Sequence, residues 1–204
     1  MWVSVLPYDP AWATAFSQMR TSLSAALEGV PVISIEHVGS TSVPGLAAKP
    51  IIDIDIIVAP EDIPSAMELL TAHGYTYAPE PRGIDRYSFR YNAHAHDSGA
   101  TRPTEDGAVR RAVYLNVPTG VALQNHLAVR DVLLRDPGLV EEYARVKTEL
   151  ATREHENIGY YGLGKNGILR KILAKGNLAP EVVEAIAKVN VMPPLKMGDV
   201  AFGR

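Results

Sequence analysis

The sequence predicts an α+β fold with a helical C-terminal part. Three observations carry this expectation. Val32 to Val38 and Ile51 to Val58 are β-branched runs that read as strands. Trp12, Phe16, Met19, Leu23 and Leu27 recur at helical spacing. Beyond the strand-like run Ala112 to Val117, every periodic segment is helical. Strand, short helix, strand and helix between Val32 and His73 open in the manner of an α/β arrangement.

Asp9-Pro10 places a cap ahead of a first-turn proline, so a helix starts there and runs to about Glu28. The strand Val32 to Val38 ends at Gly39-Ser40, and Thr41 to Ala48 is a short helix or a loop. Lys49-Pro50 starts the next strand, Ile51 to Val58. Glu61 to His73 is helical, with Ile63, Met67 and Leu70 on one face and Gly74 as its stop. Tyr75 to Ala78 forms a strand, and Arg86 to Tyr91 sets Arg86, Ser88 and Arg90 against Tyr87, Phe89 and Tyr91, as a half-buried strand does. Asn92 to Val109 has no periodicity and reads as a long mobile loop. After the strand Ala112 to Val117, Pro118-Thr119-Gly120 leads into a helix over Val121 to Arg135. Asp136-Pro137 repeats the cap-plus-proline device, opening a helix striped by Leu139, Tyr143, Val146 and Leu150. Leu163 to Lys175 is expected as the last helix of a main domain spanning residues 1–175. Gly176-Asn177 separates it from an extension, 176–204, made of a shorter helix, Pro180 to Val189, and an extended end. That extension reads as a subdomain, a lid, or an arm through which two copies form a homo-oligomer.

Composition narrows the function classes. The 204 residues suit one globular domain, and no apolar run approaches the ~20 residues that span a bilayer. Without cysteine there is neither a disulfide nor a thiolate metal site, and the N-terminus lacks a signal-peptide pattern; a cytoplasmic protein is expected. The net charge of −3 is uneven. Residues 163–204 hold seven Lys/Arg against three Asp/Glu, leaving thirteen against twenty in the first 162. An acidic body argues against nucleic acid as partner, because that affinity comes largely from phosphate neutralisation by Lys and Arg.

The densest chemistry lies between Glu36 and Val58, EHVGSTSVPGLAAKPIIDIDIIV. Side chains alternate along a strand, so Asp53 and Asp55 project from one face while Ile52, Ile54 and Ile56 pack the other. Two carboxylates beside a Gly-Ser turn form a plausible cradle for a divalent metal and a phosphate, or one of them is simply hydrogen-bonded at a strand end. Gly39 permits close approach and Ser40 can donate to a phosphate, while Lys49 can neutralise one or face solvent. Glu36 and His37 lie on alternate faces, so one alone shares the side of the site. Arg86 and Arg90, ~13 Å apart on one strand face, can line a triphosphate channel or a solvated sheet. His126 and Arg130 share a helix face with Asp131 adjacent, and Tyr143 and Lys147 repeat that spacing on the next helix. These can contact an anion or lock elements together. His94-x-His96-Asp97 has zinc-ligand residue types but no partner cluster.

The segment Glu36 to Val58 resembles the signature of the GrpB-like family, which is similar to the nucleotidyltransferase superfamily. Asn125 to Ala151 resembles the family's second block of His-Leu, Arg-Asp, Tyr and Lys positions, and VLPYDPAWATAF, Val5 to Phe16, is similar too. The resemblance covers roughly residues 5 to 175. It implies a nucleotidyltransferase-like mixed β-sheet flanked by helices, with the Gly-Ser turn and the Asp-x-Asp strand at the site. It also implies a Mg2+-dependent enzyme that moves a nucleotidyl group from a nucleoside triphosphate to a small-molecule acceptor, with Asp53 and Asp55 as catalytic metal ligands. Gly39, Ser40, Lys49, Arg86, Arg90, His126, Arg130 and Lys147 are then the nucleotide- and phosphate-binding residues. One departure is plain. Where the resemblance leads one to expect a histidine motif or a third carboxylate on a later strand, this chain has Tyr114 and Asn116. Asn116 can offer an amide oxygen to Mg2+ but cannot act as a base. Two alternatives therefore stay open: a non-catalytic domain that binds a nucleotide or CoA-like ligand as partner or regulator, and an ATP-dependent acyl-activating or ligase-type enzyme on the same pocket.

Overall fold

The computed structural model describes residues 1–79, 85–91 and 109–191. Its five strands are β1 (Val32–Val38), β2 (Ile51–Val58), β3 (Tyr75–Ala78), β4 (Tyr87–Tyr91) and β5 (Arg110–Asn116), in the order β1-β2-β5-β4-β3. The β2–β5 pair is parallel and the others antiparallel, so the sheet is mixed, as expected. Among the described residues seven α-helices surround it: α1 (Ala11–Ala26), α2 (Ile63–Ala72), α3 (Val121–Arg135), α4 (Pro137–Ala151), α5 (Ile158–Gly164), α6 (Asn166–Leu173) and α7 (Pro180–Val191). None of the described helices is long and apolar enough to cross a membrane.

The period-two pattern of β2 decides which face is core. Ile52, Ile54 and Ile56 are fully buried with Val113, Leu115 and Phe89 against Trp12, Met19, Leu23 and Leu27 of α1 and Ile63, Ala66 and Leu70 of α2. Removing one such side chain, as in Ile54→Ala, costs about 2–5 kcal/mol. The opposite face carries the polar residues. Register places Glu36, Asp55 and Tyr114 side by side across β1, β2 and β5, with Ser88 of β4 next in line. Over the β1–β2 side of that face lie the C-terminal helices, which have their own core of Val132, Leu133, Leu139, Tyr143, Ile168 and Ile172, closed by Val43 and Leu46 from the β1–β2 connection. Helix α7 packs on α3 and α6.

Local chemistry explains most boundaries. The Asp9 carboxylate accepts from Ala11 N–H at 2.9 Å at the start of α1, and the Asp136 side chain caps α4 through Leu139 N–H at 3.1 Å. The connection after β1 holds a single 3-10 turn, Ser40–Ser42. Two expectations need correction. Strand β5 begins at Arg110, two residues before the predicted Ala112. The expected single helix from Leu163 to Lys175 is two helices, α5 and α6, meeting at Lys165. Asn157 caps α5 by accepting from Gly159 N–H at 2.9 Å, and Gly162, Gly164 and Gly167 weaken the helical pattern that would mark this start in the sequence. Residues 92–108 of the loop predicted over Asn92 to Val109, with the His94-x-His96-Asp97 set, and the predicted extended end lie outside the described residues.

Candidate functional site

A cavity of about 280 Å3 opens where the polar sheet face meets the helical layer. Its floor is the end of β1 and the start of β2, and its walls are α3, α4 and the α5–α6 junction. Gly39, Ser40, Lys49, Asp53, His126, Tyr143, Lys147, Tyr161 and Lys165 provide its polar lining.

Gly39 is required by the geometry. It sits at φ 70°, where a side chain is strained, and a Cβ there would collide with the Asp53 carboxylate. Asp53 thus lies directly against the turn that the sequence places before it. Burial raises the Asp53 pKa, with the neighbouring positive charges, including Lys49 and Arg86, pulling the other way. The Tyr114 hydroxyl donates to Asp53 Oδ1 at 3.3 Å.

Asp55 is fully buried and already engaged. Its Oδ1 accepts from Asn116 Nδ2 at 3.0 Å and its Oδ2 pairs with His126 Nδ1 at 2.9 Å. The His126 tautomer follows from its other partner. Arg86 Nη1 lies 3.1 Å from His126 Nε2, and a guanidinium can only donate. The ring therefore accepts at Nε2 and carries its proton on Nδ1, which it gives to Asp55. Arg86 also stacks on Tyr114, its guanidinium carbon 4.2 Å from the ring centroid. The chain Arg86–His126–Asp55–Asn116 is a polar brace between α3 and the sheet. Asn116 Oδ1 is left as a buried acceptor without a hydrogen-bond partner.

Three lysines face the same space from three segments. Lys49 precedes β2, Lys147 lies on α4 and Lys165 joins α5 to α6. The Lys147 side chain is 2% exposed and its Nζ has no hydrogen-bond partner among the described residues. Desolvation, then repulsion from Lys165 and Lys49, lowers its pKa to about 6. Burial, then Lys165, lowers Lys49 to about 8, and burial also lowers Lys165. Aromatic faces partly compensate: Lys147 Nζ lies 4.4 Å from the Tyr143 ring centroid, while Lys49 and Lys165 lie 5.8 and 5.0 Å from that of Tyr161. Ser40 hydrogen-bonds the Tyr143 phenol, whose pKa burial pushes up to about 12. The Tyr161 hydroxyl is buried without a partner.

Of the residues singled out in the sequence, Gly39, Ser40, Lys49, Asp53, His126 and Lys147 converge on this cavity. Asp55, Asn116 and Arg86 join it through His126. Arg130 stands apart. It bonds Glu36 at 2.8 Å, the His37 carbonyl at 3.2 Å and Asp131 at 2.9 Å, fastening α3 to β1. Arg90 is exposed on β4, opposite Thr76 of β3. Glu36 is the member of its pair on the site face. His37 stacks on Phe16 of α1 at 4.6 Å, where burial and then Arg130 lower its pKa to about 4. Sequence reasoning missed Tyr161 and Lys165. Their signal was a glycine-interrupted stretch, YYGLGKNG, in which aromatic and basic residues outlast the helical periodicity.

Comparison with known proteins places these residues in context. A family model described as "GrpB protein" matches residues 2–175. The UPF0157 protein YqkA of Bacillus subtilis is 32% identical over 167 residues, 80% of this chain and 44% of that protein, so the chain spans less than half of that relative. The UPF0157 protein BH1888 of Halalkalibacterium halodurans is 30% identical over 182 residues, 86% of this chain and 83% of the relative. Among solved structures, the conserved protein GrpB from Enterococcus faecalis superposes with a TM-score of 0.68 at 27% identity, over 90% of this chain and 99% of that one.

Proposed function

The chain belongs to the GrpB protein family, and from that premise we propose that its cavity seats the phosphate chain of a nucleoside triphosphate and that the protein moves the nucleotidyl group to a small acceptor. One observation carries this reading. Three lysines distant in sequence meet Asp53 and the Gly39-Ser40 turn around one cavity. An anion resolves the mutual repulsion of the lysines, and the Gly39 backbone allows it to come close to Asp53.

The residues present fit a Mg2+ ion. Asp53, Asp55 and Asn116 offer two carboxylates and an amide oxygen, the hard oxygen donors that this ion takes. Asn116 Oδ1 is unpartnered, and each Asp55 oxygen accepts one hydrogen bond with a second lone pair remaining. When bound, the ion supplies charge neutralisation at the reacting phosphate. The chain's own residues do the rest: the lysines hold the phosphates, His126 fixes the Asp55 carboxylate, and the helical layer restricts water.

Calorimetric titration of several nucleoside triphosphates, with and without Mg2+, tests this on the parent and on Asp53→Asn. Binding that Mg2+ strengthens in the parent but not in the variant is expected. Unchanged affinity in Asp53→Asn removes the metal role. Incubation with labelled triphosphate and a pool of small metabolites then reads transfer as pyrophosphate release. A second reading, binding without transfer, is favoured by Asn116: it donates to Asp55 at the strand position where a further carboxylate was expected. Tight binding with no pyrophosphate release selects it.

A further inference from the structure

We infer that the cavity recognises a short polyphosphate chain by charge alone, indifferent to the base or sugar attached, with Lys147 as the buried amine that the chain recruits. This deepens the proposed function and rests on its placement of phosphates in this cavity.

Size is the first ground. At about 280 Å3 the cavity lies at the low end for small-molecule sites, which run to ~1,000 Å3, so it has room for linked phosphates and leaves the nucleoside outside. The second is the donor set. Lys147 Nζ and the Tyr161 hydroxyl are both buried, both unpartnered and both part of the cavity wall. Desolvated donors of this kind are costly unless something accepts from them, and phosphate oxygens are acceptors only. The third is what occupies the aromatic faces. Tyr143, Tyr161 and His126 are the aromatic rings among the lining residues; a lysine side chain covers each tyrosine and His126 lies against Tyr114, so those faces are already occupied.

Charge selects for linked phosphates over a single one. The groups facing Lys147 are Lys49 ahead of β2, Asp53 on β2, His126 on α3, Tyr143 on its own helix, Tyr161 on α5 and Lys165 beyond it. Asp53 is the single carboxylate among the lining residues, opposed by three lysines. In the empty cavity near neutral pH Lys147 is largely unprotonated, because burial and the other two lysines oppose a third charge. A polyanion reverses the balance and raises its proton affinity. Binding is therefore accompanied by proton uptake, and affinity falls as pH rises through the pKa that Lys147 has in the complex.

The test is Mg2+-free calorimetry near neutral pH in two buffers of different ionisation enthalpy. The probes are inorganic tripolyphosphate, ATP, GTP, CTP, UTP and adenosine. Tripolyphosphate and the four nucleotides are expected to bind within about threefold of one another, adenosine not at all, and the heats should report uptake of close to one proton. Lys147→Met should lose about tenfold or more in affinity together with the proton uptake. Its melting temperature, measured alongside, should not fall, which separates lost recognition from lost folding. Discrimination of about tenfold or more among the bases, or nucleotide binding without tripolyphosphate binding, overturns the inference and leaves the proposed function standing. Tripolyphosphate binding with no pyrophosphate release from any nucleotide leaves the inference and defeats the transferase. Failure of every triphosphate to bind without Mg2+ defeats the inference, and failure with Mg2+ present as well defeats both.

Discussion

Gly39 is the residue on which the site's geometry turns. Two penalties meet there, a left-handed backbone worth roughly 1–2 kcal/mol for a residue with a side chain and an overlap with Asp53 worth about 1–3 kcal/mol. Gly39→Ala is therefore expected to lower stability by about 2–5 kcal/mol and to displace the Asp53 carboxylate, measured as a fall in denaturation midpoint with weakened anion binding. Lys147 shows the opposite balance between folding and binding. Its pKa is about 6 in the folded protein and near 10.5 when unfolded, so between those values the unfolded chain holds more protons and stability rises with pH. Lys147→Met should accordingly melt higher than the parent near neutral pH, and the gap should narrow as pH approaches 10.5. A variant that melts lower at neutral pH would contradict the buried, unpaired amine. The sequence made one half of this site readable and hid the other. Gly39, Asp53 and Asp55 follow from a turn and a period-two strand, both local patterns. Lys165 and Tyr161 belong to the site only because α5 and α6 fold back over β2, and no local pattern encodes that return.

Helix α3 depends on a cap that comes from elsewhere in the chain. Its own N-cap residue is Gly120, which offers no side chain, and the Asp85 carboxylate takes its place by accepting from Val121 N–H at 2.5 Å and Ala122 N–H at 3.0 Å. Negative charge at a helix N-terminus also favours the helix dipole. Asp85→Ala should cost ~1 kcal/mol, read in urea denaturation, and should weaken the His126–Asp55 hydrogen bond that the same helix presents. Unchanged stability would mean that solvent caps α3 equally well. At the other end of the site-facing stripe, Arg130 fastens α3 to β1 through Glu36. Among the elements, α1 and α4 were legible from a cap-plus-proline start and a helical stripe, β1 and β2 from β-branched runs, and α3 from the Pro118-Thr119-Gly120 break before it. The division at Lys165 was not, since the glycines around it suppress the propensity signal while Tyr161 is held by packing.

The described residues form two larger apolar cores, one beneath the sheet and one among α3, α4 and α6, with a smaller cluster of Val3, Leu150 and Tyr161, and the cavity lies in the seam. A ligand there touches both layers at once. Saturating tripolyphosphate at about a hundredfold over its Kd should add ~2.7 kcal/mol to stability. Hydrogen exchange should slow in α4 and the α5–α6 junction more than in α2, which lies on the far side of the sheet. Uniform protection across both layers would argue that the ligand binds outside the seam.

The wide spacing of the three lysines has a temporal side. Asp53 and the Gly39-Ser40 turn are translated before Lys165, which follows about a hundred residues later, a delay of ~5–20 s at ordinary synthesis rates. In that interval Asp53 has Lys49 four residues ahead of it but not yet Lys165. The three-lysine wall is complete only once Lys165 is translated, so the polyanion site proposed above belongs to the finished pocket and not to a partly made chain.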